Sequence, residues 1–218
     1  MNLSAFTIGI VSVLGAASHA GTTPQMGGNM SHLLVSIFDQ QVFIGFESPA
    51  MATVELQESS SLFDGDASVL NHTGHNSQFG WLVGGFISLP PSSGVFVRTL
   101  GGSEHLSVYS EFGFDPILGT DGSDEVWQWD GTMTHNWYSS EVKGPHSVRY
   151  EVFVGDLMGN PLDGWTAGQV ELNFTYGEDI SDRIRPLNTT GGMIGSVPVP
   201  GSLAGLGLAG LVLGVRRR

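Results

Sequence analysis

The chain has 218 residues, with 32 Gly, no Cys, 13% charged residues, and 21 acidic against 8 basic side chains. Its glycine content and low charged fraction exclude a coiled coil or helical bundle, and its 40% hydrophobic residues exclude disorder throughout. The net charge of −13 disfavours nucleic acid as a partner, and the missing Cys excludes disulfides, thiolate zinc sites and cysteine nucleophiles.

The first 20 residues are typical of an export signal. An apolar stretch over 5–17 precedes small residues at the −3 and −1 positions of a cleavage site between Ala20 and Gly21. The start carries no Lys or Arg, so a buried first helix or strand is the alternative interpretation. We expect a signal peptide over 1–20 and a mature chain that begins at Gly21.

Residues 21–187 are predicted to form one all-β domain. Val148–Val154 and Gln169–Tyr176 alternate apolar and polar side chains with the period of two that marks half-buried strands. Asp39-Gln40 predicts a tight hairpin, and Gly-containing turns separate the other runs. Many short strands with such turns favour an antiparallel β-sandwich or jelly-roll-like fold, with apolar helical segments at both termini. Further predicted strands are 33–38, 42–47, 53–57, 79–87, 95–100, 105–109, 125–129 and 132–138.

Histidines are the first candidates for a binding site. His72 and His75 lie in one Gly-containing loop and could hold zinc or copper. Two ligands do not make a site, so the prediction adds His105 and His135 as metal ligands. Loop histidines that bind only water are the alternative.

An acidic loop is the second candidate. Residues 121–125 read Asp-Gly-Ser-Asp-Glu, and such oxygen-rich loops suit calcium. The spacing differs from the twelve-residue calcium loop, and Asp-Gly is equally typical of a plain turn. Zinc and calcium are therefore the candidate cofactors.

Aromatic residues are the third candidate. Trp127, Trp129, Trp137 and Tyr138 fall on two neighbouring predicted strands, and Trp127 shares a face with Trp129. An exposed pair of rings would stack on sugars, whereas a core packed with aromatics is the alternative. No Gly-x-Ser-x-Gly elbow, His-Glu-x-x-His helix or phosphate loop is found, so we predict no catalytic residues and no enzyme activity.

The C-terminus has three distinct parts. Residues 188–197 are predicted to be a flexible linker, and a proline box then precedes the uncharged stretch 202–215. That stretch is short for a membrane span, which needs about 20 residues, and the closing arginines favour a cytoplasmic end. The predicted sorting segment is 198–218, and Val197 lies directly before it. The residues that define the signal are Val197, Pro198, Pro200, Gly201, Arg216, Arg217 and Arg218.

This arrangement resembles the PEP-CTERM sorting signal of bacteria with Gram-negative-type envelopes, although Val199 stands where Glu is usual. The resemblance implies an exosortase-type processing enzyme as a partner and transient insertion of the C-terminal segment in the inner membrane. It also implies a final location at the cell envelope, the outer surface or the extracellular matrix, with exopolysaccharide as a candidate partner. A plain C-terminal membrane anchor is the alternative.

The body shows a second, weaker resemblance. Segments 101–109, 121–124 and 135–138 are similar to a family of surface-anchored bacterial β-domains, which includes PEP-CTERM proteins under a zinc-responsive repressor. Only His135, Asn136 and Trp137 carry over from the family's His-x-His-x-Asn-Trp box, because Thr132 and Thr134 stand where its histidines would fall. The resemblance implies a sandwich fold and a link to zinc supply.

These observations predict an exported, non-enzymatic protein of the cell envelope or extracellular matrix. The alternative is a secreted module that binds zinc, calcium or a glycan. Residues 21–196 hold 21 acids against 5 bases, a net charge of −16. This charge disfavours anionic partners in either case.

Overall fold

The computed structural model describes residues 22–48 and 53–177. The predicted signal peptide with its cleavage site, the linker, the C-terminal sorting signal and both predicted terminal helices lie outside these residues. Within them, no helix is long and apolar enough to cross a membrane.

The described part of the chain is all-β, as predicted. It contains eleven strands and two short 3-10 segments, Gly65–Leu70 and Thr120–Gly122. The strands are β1 (Ser31–Phe38), β2 (Gln41–Phe46), β3 (Thr53–Glu58), β4 (Gly74–Asn76), β5 (Phe79–Ile87), β6 (Ser93–Gly102), β7 (Ser107–Tyr109), β8 (Val126–Trp129), β9 (Trp137–Ser140), β10 (Gly144–Asp156) and β11 (Gly168–Tyr176).

The strands form two sheets that share one hydrophobic core. The smaller sheet has the order β2-β1-β5, and the larger has the order β7-β9-β4-β3-β11-β10-β6-β8. Rings of the two sheets meet edge to face: Phe79 lies 5.4 Å from Phe174, and Trp81 lies 5.9 Å from Tyr150, between ring centres. Aromatic pairs at such distances add to the free energy gained from burial.

The hairpin of β1 and β2 follows the sequence pattern closely. Leu33, Val35 and Ile37 alternate with polar or half-buried residues and are fully buried. Asp39 and Gln40 connect the strands with φ of 51° and 56°. Two consecutive positive φ angles match the twist of an antiparallel pair, so the predicted tight hairpin is confirmed.

The prediction of a purely antiparallel arrangement is wrong at two strand pairs. β1 and β5 run parallel, with Leu33 opposite Trp81, and β3 and β11 run parallel, with Val54 opposite Phe174. Parallel neighbours need a long crossover, and both pairs join strands that are far apart along the chain. The alternation of apolar and polar residues cannot reveal such a pairing. It indicates on which face of the sheet each side chain lies, but not the direction of the neighbouring strand.

Two further differences concern segments near the predicted histidine site. Gly74–Asn76, expected to be a loop, forms β4 between β3 and β9. Gly74 is required there, because a Cβ would lie 2.3 Å from the Tyr176 ring. The strand predicted over 132–138 begins only at Trp137, and the residues before it make an isolated bridge between Thr134 and Trp81.

Candidate functional site

The four histidines predicted to bind a metal lie in different surroundings. His72 and His105 are exposed, whereas His75 and His135 are buried. In the described ranges, no group of three or more His, Asp or Glu side chains is placed to hold a metal ion. The four histidines therefore do not form one shared site.

His75 is part of a small core beside β4. Its ring lies 5.4 Å from that of Phe63 and 6.0 Å from that of Trp137, and its Nδ1 is 3.2 Å from the carbonyl oxygen of Thr73. Burial lowers the pKa of His75, and the hydrogen bond to Thr73 offsets only part of this effect. The side chain is thus a packed imidazole that favours its neutral form.

The acidic loop predicted as a calcium site is held as a tight turn by its own backbone. Gly119 N–H donates to the carbonyl of Asp124 at 3.1 Å, and its contact with Ser123 Oγ is 3.2 Å. Asp121 has a φ of 51° within its 3-10 segment. Asp121 and Asp124 point into solvent, which matches the turn interpretation of Asp-Gly.

The tryptophan-rich cluster belongs to the core. Trp129 and Tyr138 are at most 2% exposed, and Trp127 packs on the same core from its edge. The indole N–H of Trp129 donates to the carbonyl of Thr132 at 2.7 Å, so its polar atom is satisfied. The face that Trp127 and Trp129 share is therefore the inner face of the sheet, as the core alternative predicted.

An aromatic cleft opens beside Trp137. It encloses about 440 Å³ between the segment before β1 and the loop after β7. Such a volume is in the range of small-molecule sites, which combine apolar walls with a few polar groups. Its walls include Pro24, Met26, Glu111, Phe112, Phe114 and Trp137.

The loop after β7 holds the rings of the aromatic cleft in place. Ser110 Oγ donates to the carbonyl of Phe112 at 2.8 Å and accepts from the N–H of Asp115 at 3.1 Å. Phe114, with a φ of 55°, stacks on Trp137 at 5.7 Å between ring centres. Phe112 is 82% exposed. The hydrogen-bonded loop thus holds the exposed ring of Phe112 beside the stacked rings of Phe114 and Trp137.

His135 forms the polar floor of the aromatic cleft. Its backbone N–H donates to Glu111 Oε2 at 3.0 Å, and its Nδ1 lies 2.8 Å from the carbonyl oxygen of Ser77. Both Ser77 and Glu111 also line the cleft. The backbone contact fixes the Glu111 carboxylate at the wall, where it can accept hydrogen bonds from a ligand.

A second imidazole, that of His32, lies beside His135 and is not among the predicted metal ligands. His32 projects from β1 on the face opposite the core, in register with Gly80 of β5. Its ring centre is 5.6 Å from that of His135, with 67° between the planes. His32 Nδ1 lies 2.6 Å from Glu47 Oε2. The Nε2 atoms of His32 and His135 are buried and have no hydrogen-bond partner among residues 22–48 and 53–177.

Sequence reasoning missed both the cleft and His32 for a physical reason. Each depends on segments that meet only through the tertiary fold, such as β1 with the stretch before β9. The available local signal was Phe112-Gly113-Phe114, two large rings around a glycine in a turn region, which indicates aromatics that a strand does not bury.

The fold and the aromatic cleft define an all-β domain with a largely apolar, small-molecule-sized site. No protein-family model, curated protein or solved structure matches the chain.

Proposed function

We propose that the protein is an exported, non-enzymatic component of the cell envelope or extracellular matrix. Its body would be a single β-sandwich domain, carried out of the cytoplasm by residues 1–20 and sorted by the PEP-CTERM-like residues 197–218. The observations in support are the proline box, the short uncharged stretch and the three terminal arginines, next to an acidic β-rich body. A membrane-bound exosortase-type enzyme is the expected processing partner.

Cell fractionation tests the sorting proposal. The full chain is expected in the envelope or matrix and to become shorter at its C-terminus, whereas a chain that ends at Ser196 should pass into the medium or periplasm unprocessed. A full-length variant with Arg216–Arg218 replaced by serines keeps the apolar stretch but lacks the arginine cluster. It shows whether processing needs the arginines or only the apolar stretch. Equal distribution of the full and shortened chains would refute the sorting proposal.

We further propose that the aromatic cleft binds the ring of a sugar unit from a matrix polysaccharide. The observation that carries this proposal is Phe112, 82% exposed beside the stacked Phe114 and Trp137. Exposed rings stack on the apolar faces of sugars, and Glu111 supplies an acceptor for sugar hydroxyls. The net charge of −16 on residues 21–196 favours neutral or cationic sugars over anionic ones.

A glycan array followed by calorimetry tests the cleft. Phe112→Ala should remove binding and leave the melting temperature unchanged, because the ring is mostly in solvent and contributes little to the core. Phe86→Ala is the matched control, since Phe86 is 73% exposed on β5, outside the cleft. Retained binding in Phe112→Ala, or equal loss in Phe86→Ala, would rule out the cleft as the sugar site.

A further inference from the structure

We infer that His32 and His135 form a two-histidine site for a monovalent copper ion. The first step is the protonation of the two rings. His32 Nδ1 faces a carboxylate oxygen of Glu47 at 2.6 Å, and His135 Nδ1 faces the carbonyl oxygen of Ser77 at 2.8 Å. Both oxygens accept hydrogen bonds, so each neutral ring carries its proton on Nδ1. Each Nε2 therefore presents a lone pair.

The second step is the burial of these lone pairs. Neither Nε2 meets a hydrogen-bond donor within the described residues, and neither is reached by solvent. Leaving a buried acceptor without a partner is unfavourable, and here two such acceptors belong to rings in direct contact. A cation bound between the rings would satisfy both lone pairs together.

The third step is the distance between the rings. Metal–imidazole bonds are about 2 Å long and a ring nitrogen lies about 1.1 Å from its ring centre, so two rings on one ion have centres no more than about 6 Å apart. The observed separation of 5.6 Å is within this limit. The contacts of Nδ1 with Glu47 and Ser77 are also those by which proteins orient metal-binding histidines.

The fourth step is the identity of the ion. In residues 22–48 and 53–177 no third His, Asp or Glu joins the pair to complete a metal site. Zinc in proteins takes four ligands, and calcium and magnesium take oxygen. Copper(I) binds imidazole and, as a closed-shell monovalent ion, is stable with two nitrogen ligands. Its single positive charge is matched by the Glu47 carboxylate behind His32.

The aromatic cleft is the side from which an ion would approach the buried pair. His135 lines the floor of that cleft, and His32 lies behind it. The copper proposal rests on the buried Nε2 atoms of His32 and His135, whereas the sugar proposal rests on the exposed ring of Phe112. Failure of either proposal leaves the other intact.

The test is a titration of the purified full chain with copper(I) under ascorbate, in competition with a chromogenic copper(I) chelator. We expect one ion per chain. His32→Ala and His135→Ala should each weaken binding at least 100-fold, and Glu47→Gln about 10-fold, as for other residues that orient a metal ligand. His105→Ala, at an exposed histidine, is the matched control and should bind as the unaltered chain does.

A second measurement needs no variant and covers the case in which His135→Ala does not fold. Silver(I), a closed-shell monovalent ion that air does not oxidise, substitutes for copper(I), and nitrogen NMR of the labelled chain should then show perturbed Nε2 signals from two imidazoles. Copper X-ray absorption should show two nitrogen neighbours. No binding, unchanged affinity in the His32→Ala chain, perturbation of other histidines, or a four-coordinate site would overturn the inference.

Discussion

The imidazole of His135 occupies the space that a side chain on Gly80 would need. A Cβ built on Gly80 would lie 2.4 Å from Cε1 and 2.5 Å from Nε2 of His135. Because His32 is in register with Gly80 on the neighbouring strand, the missing side chain allows His135 to lie beside His32. One glycine in β5 thus brings together two histidines from remote parts of the chain.

Gly80→Ala should therefore destabilise the protein. The new methyl group cannot be accommodated without moving the His135 ring, and overpacking of this kind typically costs about 1–3 kcal/mol. Denaturation in urea, followed by tryptophan fluorescence, measures the change in the free energy of unfolding. The Gly80→Ala chain should also lose copper(I) affinity if the histidine pair binds the ion.

Two further variants isolate the contact between Gly80 and His135. Gly45→Ala is the matched control, because Gly45 is exposed in β2 and a Cβ there meets no atom of the described residues within 4 Å. It should raise stability slightly, since alanine loses less backbone entropy in a strand than glycine does. In a His135→Ala background, Gly80→Ala should cost much less than in the unaltered chain. An equal cost in both backgrounds would contradict the contact.

Gln40→Gly should stabilise the hairpin of β1 and β2. Gln40 has a φ of 56°, a region that disfavours residues with a Cβ, and the substitution creates the Asp-Gly pair preferred in such turns. The free energy gained by relieving this strain exceeds the entropic cost of a more flexible unfolded chain. We therefore expect the free energy of unfolding to rise by about 0.5–1 kcal/mol. The midpoint of urea denaturation reports it.

The neighbouring Gln41 provides the control for this turn. Gln41 is exposed like Gln40 but belongs to β2, where no left-handed backbone is needed. Gln41→Gly should lower stability by about 0.5–1 kcal/mol, the usual penalty for glycine inside a strand. If both substitutions change stability in the same direction, the turn does not determine the effect.

Local pattern was sufficient to predict most of the strands and the tight turn between β1 and β2. Alternation in Val148–Val154 places Tyr150 and Val152 in the core and Arg149 in solvent, as the structure has them. The turn at Asp39-Gln40 follows from its position between two such runs. These features depend on neighbours a few residues away, which is why the sequence alone reveals them.

Features made by distant segments could not be predicted in this way. β4 has only three residues and no clear alternation, and it is a strand because β3 and β9 lie on either side of it. The direction of β5 beside β1 follows from the crossover between them. The contact of His32 with His135 depends on both the parallel register and the absence of a Gly80 side chain. No periodicity in the sequence encodes such contacts.

His75 should make the protein less stable in mild acid. Its pKa in the unfolded chain is near the model-peptide value of 6.5, and burial lowers the pKa in the folded state. Below pH 6.5, His75 therefore binds a proton in the unfolded chain more readily than it does in the folded chain. The contribution of neutral His75 to the free energy of unfolding is fully present above pH 6.5. It is lost as the pH falls towards and through the lower pKa of the folded state.

Comparison of pH profiles tests this effect of His75. In His75→Gln the amide can still donate to the Thr73 carbonyl, but the side chain no longer titrates, so the free energy of unfolding should fall less steeply between pH 7 and pH 5. His105→Gln removes an exposed histidine and should leave the slope as it is in the unaltered chain. Because the measured quantity is the slope, a constant loss of stability in His75→Gln does not affect the result. Equal slopes in His75→Gln and the unaltered chain would show that His75 does not resist protonation in the folded state.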